Sequence, residues 1–424
     1  MGNKSAAFKK TELGSVPSHW AIVAIHEVGS IFTGSTPSTS VSAYYGGSYE
    51  FITPRDMGEL MYVTKTQKSL TEEGIKVARQ LPQDTVLVSC IGDIGKTAIT
   101  SQERSATNQQ INAVITNERC LPHFLYYVMM HESSSLGRLA GRTTMPIVNK
   151  SNFSKFMIPL PPVQEQRAIA KVLRTVQETR ETRLRELQLE RERKAALIRL
   201  LFTKGAHGEP TEQSEIGQIP ESWKLKAVRD ICDNIIDYRG KTPAFSDAGV
   251  IHLRSSNIKD GRLVLNKTAF VSETTYASFM TRGMPKENDV IFTTEGPLGE
   301  STLVPPGLRF SLAQRLVVLQ PNPHTIEPSY LMYALYSEGV RSQYFARATG
   351  TTVKGISSKS FQKVKIPIPS IPEQRAISTI LSACDRRIDL LERENQLLEE
   401  LLEAMLKGLM SGQLAALPLL VEGF

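Results

Sequence analysis

The sequence predicts an α+β protein in which two mixed, mostly β domains alternate with two long helices that pack as an antiparallel coiled coil. Two observations lead to this prediction. Residues 12–20 return as residues 215–223, and residues 86–95 return as residues 290–299, so the chain repeats itself after about 200 residues. Each copy then ends in a proline-rich junction followed by a long stretch with helical periodicity. A period of this length is typical of a duplicated domain and not of a short-repeat solenoid.

Each globular copy opens with the same motif and continues as short strand-like runs. The motif Gly-x-[Ile/Val]-Pro-x-x-Trp occupies residues 14–20 and 217–223, and it contains both tryptophans of the chain. Runs rich in Val, Ile, Thr and Tyr, bounded by turn residues, then predict strands at 62–64, 85–89, 111–116, 289–293 and 316–319. One helix per copy is predicted, at 121–132 and at 328–345.

The junctions mark where the globular copies end. The pattern Ile-Pro-x-Pro-x-x-x-Glu-Gln-Arg stands at residues 158–167 and 366–375. Prolines interrupt a sheet or a helix interior, but they suit an extended entry into a helix whose first turn carries an acid, here Glu165 or Glu373. The predicted organisation is a first globular domain at 1–158, a first long helix at 159–208, a second globular domain at 209–366, and a second long helix with a C-terminal tail at 367–424.

The second long helix carries a heptad seam, with apolar side chains at alternating steps of four and three and a single polar position, Asn395. Its seam residues are Ile377, Leu381, Cys384, Ile388, Leu391, Asn395, Leu398, Leu402, Met405 and Leu409. The corresponding positions of the first helix are apolar at both ends and charged in the middle. We therefore expect the two helices to pack against each other, with pseudo-two-fold symmetry, and Arg180 and Arg183 to pair with acids such as Glu399, Glu400 and Glu403. The alternative is that the first is an isolated, solvated charged helix.

Composition limits the class of protein without deciding its function. The chain has 50 Lys and Arg against 43 Asp and Glu, a net charge of +7 that mildly favours an anionic partner. The four cysteines, Cys90, Cys120, Cys232 and Cys384, have no paired spacing, so neither a disulfide framework nor a zinc site is expected. No leader and no apolar run long enough to cross a bilayer is recognised, and a cytoplasmic location is the expectation.

Motifs that resemble catalytic loops are incomplete. Residues 92–97 end like a phosphate-binding loop, but that motif requires glycine where Cys90 stands, and the second copy replaces Lys96 by glutamate. Residues 32–36 resemble part of a methyltransferase cofactor loop but lack its second glycine, and the Asp-Pro-Pro-Tyr or Asn-Pro-Pro-Tyr motif is absent. A non-catalytic protein without a metal or cofactor of its own is therefore expected, and residues 92–97 are predicted to form a turn in a β domain.

The order of these motifs resembles the specificity subunit of type I restriction-modification enzymes over nearly the whole chain. The resemblance rests on the two Gly-x-[Ile/Val]-Pro-x-x-Trp openings, the two Glu-Gln-Arg junctions, and Gly205 or Gly408 near the helix ends. It implies that each domain reads one half of a bipartite, asymmetric DNA sequence and that the helices set the spacing. It also implies that two modification subunits carry S-adenosylmethionine and methylate adenine, and that motor-nuclease subunits use ATP and Mg²⁺.

Loop residues that can reach phosphates and base edges are the candidates for DNA contact, chosen by side-chain chemistry and by alignment of the two copies. In the first copy they are Ser35, Thr36, Arg55, Lys96, Asn108, Gln109, Gln110, Arg142, Thr143, Thr144, Asn149 and Lys150. In the second copy they are Arg239, Lys241, Thr242, Arg254, Ser255, Asn257, Gln314, Arg315, Thr351, Thr352 and Lys354.

Agreement between the copies separates two kinds of candidate. Positions where they agree, such as Thr36 with Thr242 or Thr143 with Thr351, are expected to serve shared structure or phosphates. Positions where they differ, such as Gln109 against Ala313, are expected to distinguish the half-sites. A hypothesis from another class is a scaffold that does not bind DNA, with duplicated protein-binding domains and dimerising coiled coils.

Overall fold

The computed structural model describes residues 7–58, 60–140, 146–238, 240–266, 268–416 and 418. It divides into two compact units. Unit 1 consists of Met1–Arg185 and Glu392–Phe424, and unit 2 consists of Glu186–Leu391. Each unit contains one globular domain and a segment of each long helix. This mixed α+β architecture, with two β-rich domains and two long helices, confirms the predicted fold class.

Unit 1 is built around a five-stranded sheet of order β4-β12-β9-β10-β6 and a four-stranded sheet of order β7-β5-β11-β8, with β1 paired to β2 and β13 to β3. The strands are β1 (Phe8–Thr11), β2 (Gly14–Pro17), β3 (Ala21–Ala24), β4 (Gly29–Thr33), β5 (Tyr45–Ile52), β6 (Tyr62–Val63), β7 (Lys68–Leu70), β8 (Gln80–Leu81), β9 (Val86–Ser89), β10 (Thr97–Thr100), β11 (Ser105–Thr107), β12 (Ile111–Thr116) and β13 (Met157–Leu160). The helices are α1 (Ile25–Val28), α2 (Glu72–Val77), α3 (Pro122–His131), α4 (Ser133–Leu139), α5 (Lys150–Ser154) and the long α6 (Val163–Lys204), which continues into unit 2.

Unit 2 repeats this plan with a four-stranded sheet of order β17-β25-β22-β23 and a three-stranded sheet of order β21-β18-β24. Its strands are β14 (Thr211–Ser214), β15 (Gly217–Pro220), β16 (Lys224–Ala227), β17 (Cys232–Asp237), β18 (Val250–Leu253), β19 (Ile258–Lys259), β20 (Arg262–Leu263), β21 (Ala269–Val271), β22 (Val290–Thr293), β23 (Ser301–Leu303), β24 (Phe310–Leu312), β25 (Leu316–Pro321) and β26 (Lys365–Ile368). Its helices are α7 (Glu273–Phe279), α8 (Pro328–Ala334), α9 (Glu338–Ala346), α10 (Ser358–Phe361) and the long α11 (Ile371–Met410), which continues into unit 1.

The central strands are buried on both faces, which explains why they read as continuous apolar runs and not as an alternation. Every residue of β9 and of β22 is buried. The helix predicted at 121–132 is confirmed as α3, whereas the single helix predicted at 328–345 is wrong. Ser337 adopts an extended conformation there and begins α9 as its N-cap residue, so the segment forms two helices.

The long helices run antiparallel in both units, and the predicted seam of α11 is buried except for the half-buried Leu398. In unit 1, Leu402 and Met405 join the same core as Ile169 and Leu173. In unit 2, Leu187 packs with Ile388 and Leu391. This packing confirms the antiparallel arrangement and excludes the isolated-helix alternative.

The charged middle of α6 pairs with acids of α11, as expected, although the partner of Arg183 is not one of the three acids named from the sequence. Arg180 lies 3.4 Å from Glu399, as predicted. Arg183 lies 3.1 Å from Glu394. Because the helices are antiparallel, moving forward along α6 moves the partner position backward along α11.

Within the part of the chain that the structure describes, no helix is both long and apolar enough to cross a membrane.

Candidate DNA interface

One end of each domain is fixed to the start of a long helix by the two motifs that the sequence repeats. In unit 1 the indole Nε1 of Trp20 donates to Oε2 of Glu165 at 2.9 Å. In unit 2 the indole of Trp223 donates to Glu373 at 3.2 Å. The tryptophan that opens each copy is therefore bound by the first-turn glutamate of the junction that closes the copy.

The glutamine of the junction extends this attachment. The amide nitrogen of Gln374, a fully buried residue, donates to the carbonyls of Thr325 and Pro369 at 3.1 and 3.0 Å, and its oxygen accepts from the amide of Glu327 at 2.7 Å. Gln166 makes the same three bonds in unit 1, to Arg119, Pro161 and Leu121. The residues bound here follow β12 and β25, so these strands end at the helix-bound end of the domain.

The structure also shows where the glycines near the ends of the long helices lie. Gly205 follows α6 with a φ of +69°, and its counterpart is Gly412, which follows α11 with a φ of +68°. Gly408 lies inside α11. Positive φ favours glycine, which accounts for its presence after both helices.

The opposite end of the unit 1 domain gathers most of the candidate residues. Because β4, β12, β9 and β10 are antiparallel neighbours, the end of β4, the start of β12, the end of β9 and the start of β10 share one edge. There the hydroxyl of Thr36 donates to the side-chain oxygen of Gln109 at 2.7 Å. The backbone of Ser35 bonds to Thr107, and the backbone of Cys90 bonds to Gln110 and to Val148. The edge thus brings together loops at 34–36, 90–96, 108–110 and 148–150.

Unit 2 builds the same edge from its own loops. The side chain of Gln314 donates to the hydroxyl of Thr242 at 2.6 Å, as Thr36 and Gln109 pair in unit 1. The amide of Thr294 bonds to the carbonyl of Arg315, and the amide of Ile356 bonds to the carbonyl of Thr294. A threonine and a glutamine therefore meet at the same place in both copies.

The structure corrects the alignment of the two copies at this edge. The backbone amide of Asn108 donates to the carbonyl of Ile52 at the end of β5, and the backbone amide of Ala313 donates to the carbonyl of Leu253 at the end of β18. Asn108 is therefore the counterpart of Ala313, and the predicted pairing of Gln109 with Ala313 is wrong by one residue. The loops before the strand have no regular hydrophobic pattern, so sequence alone did not set their register. The positions that differ are Asn108 against Ala313 and Gln110 against Arg315.

Most other candidates described by the structure are exposed on these loops. Arg55 is exposed beside Lys96, whose ammonium lies 3.0 Å from Asp93 and 3.4 Å from the carbonyl of Pro54. The exposed Asn149 caps α5, and Lys150 lies 6.0 Å from the ring centre of Phe32. In unit 2 the exposed candidates are Lys241, Thr242, Arg254, Gln314, Arg315, Thr351, Thr352 and Lys354.

Two predicted residues are buried within the domain, and four cannot be placed. The hydroxyl of Ser255 donates to the carbonyl of Gly296 at 2.7 Å. Asn257, which is 2% exposed, accepts from the amide of Arg254 and donates to the carbonyl of Val264. The Asn257 bonds hold a turn together, the Ser255 bond joins that turn to the loop at Gly296, and both side chains are buried, which argues against the predicted contact with DNA. Arg142, Thr143, Thr144 and Arg239 lie outside the described residues.

The turn that resembles a phosphate-binding loop is a β-turn region of the sheet, as predicted. The amide of Lys96 donates to the hydroxyl of Ser89 at 2.9 Å, and the equivalent amide of Glu300 donates to Thr293 at 2.8 Å. These amides already have partners inside the domain. Burial raises the pKa of the Cys90 thiol to about 11, so the thiol stays protonated and is a poor nucleophile at neutral pH.

Sequence reasoning missed one cationic residue at the unit 1 edge. The guanidinium of Arg79 donates to the carbonyl of Thr33 at 2.7 Å, and its backbone amide donates to the hydroxyl of Ser35 at 3.2 Å. Arg79 is exposed and is far from this loop in sequence, so no local motif indicated it. Beside the edge, a groove of about 600 Å³ is lined by residues that include Arg55, Lys65 and Lys96.

The described residues thus form two duplicated domains, each with one end fixed to a long helix and the other presenting polar and cationic loops, which is the architecture of a protein that binds an anionic partner at two places. The family model described as "Type I restriction modification DNA specificity domain" matches residues 17–191 and 220–400. The chain belongs to this family of specificity subunits, the non-catalytic components that give type I restriction enzymes their DNA specificity.

Relatives of similar length support the assignment. The specificity subunit of type I restriction enzyme MjaIX from Methanocaldococcus jannaschii is 24% identical over 96% of both chains. The HindI specificity subunit from Haemophilus influenzae is 35% identical over 34% of this chain and 33% of its own. The fold is similar to the S subunit of a type I restriction-modification system from M. genitalium, with a TM-score of 0.61, 16% identity, and coverage of 96% of this chain and 97% of that one.

Proposed function

We propose that the two domains of this specificity subunit each read one half of a bipartite, asymmetric double-stranded DNA target through the loop edge opposite the helix attachment. The observation that carries the proposal is the threonine–glutamine pair, Thr36 with Gln109 and Thr242 with Gln314, at the same edge of both domains. In each pair the amide has polar capacity left for a further partner, and glutamine is suited to bind the edge of adenine in the major groove.

The neighbouring positions supply the difference between the two half-sites. At one position Asn108 offers an amide where the second domain has Ala313, which has no polar side-chain atom. Two residues further on, the first domain has Gln110 and the second has Arg315, whose guanidinium suits a guanine edge. Thr36 and Thr242 are retained in both copies and support a shared framework. We assign the cations Arg55, Lys96, Lys150, Lys241, Arg254 and Lys354 to phosphates around each edge.

The long helices dock the partner subunits and set the spacing of the half-sites. In unit 1, Leu397 and Leu401 lie one turn apart and are 56% and 42% exposed. In unit 2, Leu189 and Leu390 are 63% and 56% exposed. Such side chains on an otherwise charged helix suit burial by a partner. We assign them to two modification subunits, which bind S-adenosylmethionine and methylate adenine-N6, with motor-nuclease subunits that use ATP and Mg²⁺ joining in the cytoplasm.

The test is modification-sensitive sequencing of DNA from cells that express this chain with its cognate modification subunit, compared with cells that lack only this chain. We expect a split motif with methylated adenine only when the chain is present. Exchanging residues 214–365 for those of a relative should change one half of the motif and leave the other unchanged. Identical methylation with and without the chain, in a complex shown to have formed, would refute the proposal.

A single-residue comparison tests the proposed edge. Lys354→Ala removes an exposed cation from the loop edge of unit 2, whereas Lys224→Ala removes an exposed lysine from β16 at the helix-bound end. Only the first should weaken DNA binding by the assembled complex and reduce the slope of log K against log salt by about one. Equal effects of the two substitutions would remove Lys354 from the interface. Salt-independent self-association without DNA preference would favour the scaffold hypothesis instead.

A further inference from the structure

Each domain makes a second attachment to its long helix, farther along the helix than the tryptophan and glutamine contacts. In unit 1 the backbone amide of Met61 donates to Oε1 of Glu181 on α6 at 3.1 Å. In unit 2 the guanidinium of Arg262 lies 2.5 Å from Oδ1 of Asp389 on α11. We call these two contacts the distal attachments.

The distal attachments are equivalent in the two copies. Glu181 follows Gln166, and Asp389 follows Gln374, by the same number of residues along the helix. Met61 immediately precedes β6, the neighbour of β10 in the sheet, and Arg262 begins β20, which lies against β23. The backbone group of one copy and the side chain of the other thus bind a carboxylate at the same helical position. Their recurrence with different chemistry indicates that the contact itself has been retained.

The helical face between the two attachments is also engaged. In unit 1 the amide of Gln177 donates both to the hydroxyl of Tyr126 and to Glu181, at 3.1 Å in each case. In unit 2 the hydroxyl of Tyr333 donates to Asp385 at 2.6 Å. Each domain therefore touches its helix along four turns and not only at the junction.

The distance between the attachments determines how strongly the distal one restricts tilting. Fifteen residues of α-helix span about 22 Å, since each residue contributes about 1.5 Å. One base pair occupies about 3.4 Å along DNA, so a tilt of about 9° around the junction moves a point 22 Å away by one base pair. A contact 22 Å from the junction therefore restricts the tilt of the domain on its helix more strongly than the junction contacts alone.

We propose that Glu181 and Asp389 are positioning residues that fix the angle of each domain on its long helix and thereby limit the complex to one spacer length between the half-sites. The inference rests on the proposed function, because it requires that each domain read a half-site. It concerns the tolerance of the spacing and not the bases that are read.

The two distal attachments should differ in strength under changing conditions. Arg262 and Asp389 are 33% and 55% exposed, so their attraction is screened by salt.

The bond from the backbone of Met61 cannot be removed by substituting Met61, but Glu181→Ala removes its acceptor, and Glu181→Gln keeps a side-chain oxygen in place. Unit 2 therefore offers the sharper test, because both partners are side chains.

The experiment measures methylation by the complex of full-length chain and modification subunit on synthetic duplexes that carry both half-sites. The spacers are the native length and lengths one base pair shorter and longer. For Arg262→Ala and for Asp389→Ala we expect methylation of the altered spacers, relative to the native spacer, to rise about two- to fivefold, the range that an exposed ion pair provides. Arg262→Lys should retain most of the discrimination.

The matched control is Arg309→Ala, which removes an arginine–carboxylate pair in the same domain, at 2.9 Å from Glu273 of the short helix α7 and not from a long helix. It should leave the spacer preference unchanged. The double exchange Arg262→Asp with Asp389→Arg should restore discrimination, which a merely structural defect would not. Unchanged spacer preference in both single variants would overturn the inference while a split motif in the wild type left the proposed function intact. Absence of any split motif would overturn both.

Discussion

Replacing Gln374 by alanine should loosen the second domain from its helix more than any exposed substitution on the same helix. The side chain of Gln374 is fully buried and satisfies three backbone groups, the carbonyls of Thr325 and Pro369 and the amide of Glu327. Truncation leaves these groups without their partner in a partly buried site. An unsatisfied group costs about 1–3 kcal/mol, and partial access of water limits the sum, so we expect a loss of about 3 kcal/mol in the free energy of unfolding of unit 2.

The two tryptophans provide the assay, because Trp20 belongs to unit 1 and Trp223 to unit 2, and each is bonded to the glutamate beside the critical glutamine. In a Trp20→Phe background, the fluorescence of Trp223 during urea denaturation reports unit 2 alone. The Gln374→Ala transition should shift to lower urea than the Trp20→Phe parent.

Gln188→Ala is the matched control for this measurement, since Gln188 is an exposed glutamine of α6 within unit 2 whose amide donates to Glu192. Its effect should stay within about 0.5 kcal/mol. A loss below about 1 kcal/mol for Gln374→Ala, or equal effects of the two substitutions, would refute the argument that the buried glutamine attaches the domain to the helix.

Three further predictions concern other parts of the chain. Burial, with Arg254 nearby, lowers the pKa of His252 to about 4, so the unfolded chain binds the proton more tightly and the free energy of unfolding falls as pH drops from about 6.5 towards 4. The substitution His252→Gln should reduce that loss by about 2 kcal/mol, measured by urea denaturation at several pH values. Asp385→Ala removes the acceptor of both Tyr333 and Lys194 and should cost about 2 kcal/mol of unit 2 stability, whereas Asp247→Ala in an exposed loop should cost almost nothing. Inserting one heptad into each long helix should lengthen the spacer of the methylated motif by about three base pairs, since seven helical residues span about 10.5 Å, and an unchanged spacer would show that the helices do not set it.

The features predictable from sequence were those governed by short, regular patterns. The heptad seam of α11 is buried from Ile377 to Leu409 except for the half-buried Leu398, and the apolar runs at 86–89 and 111–116 are central strands. The junction motif was recognised as the start of a helix, but its glutamine was not recognised as the residue that binds the domain. Only the fold brings the groups that Gln374 binds next to it.

The errors arose where the deciding contact is distant in sequence or where no periodicity sets the register. Arg183 bonds to Glu394 because the antiparallel register, which no local pattern reveals, places that acid opposite it. Ser255 and Asn257 have the chemistry of DNA-reading residues, yet their neighbours bury them. Arg79 was missed because the loop that it supports is far away in the chain.

The division of the two units along the chain has a consequence for biosynthesis. Unit 2 is one continuous segment, Glu186–Leu391, whereas unit 1 needs both Met1–Arg185 and Glu392–Phe424. Leu402, Met405 and Leu409 from the last part of α11 share a core with Ile169 and Leu173 of α6. On the ribosome, the domain that is translated first must wait for these late residues before its core is closed. A nonsense codon just after Leu391 would therefore damage the N-terminal domain, although it leaves that domain's own coding sequence intact.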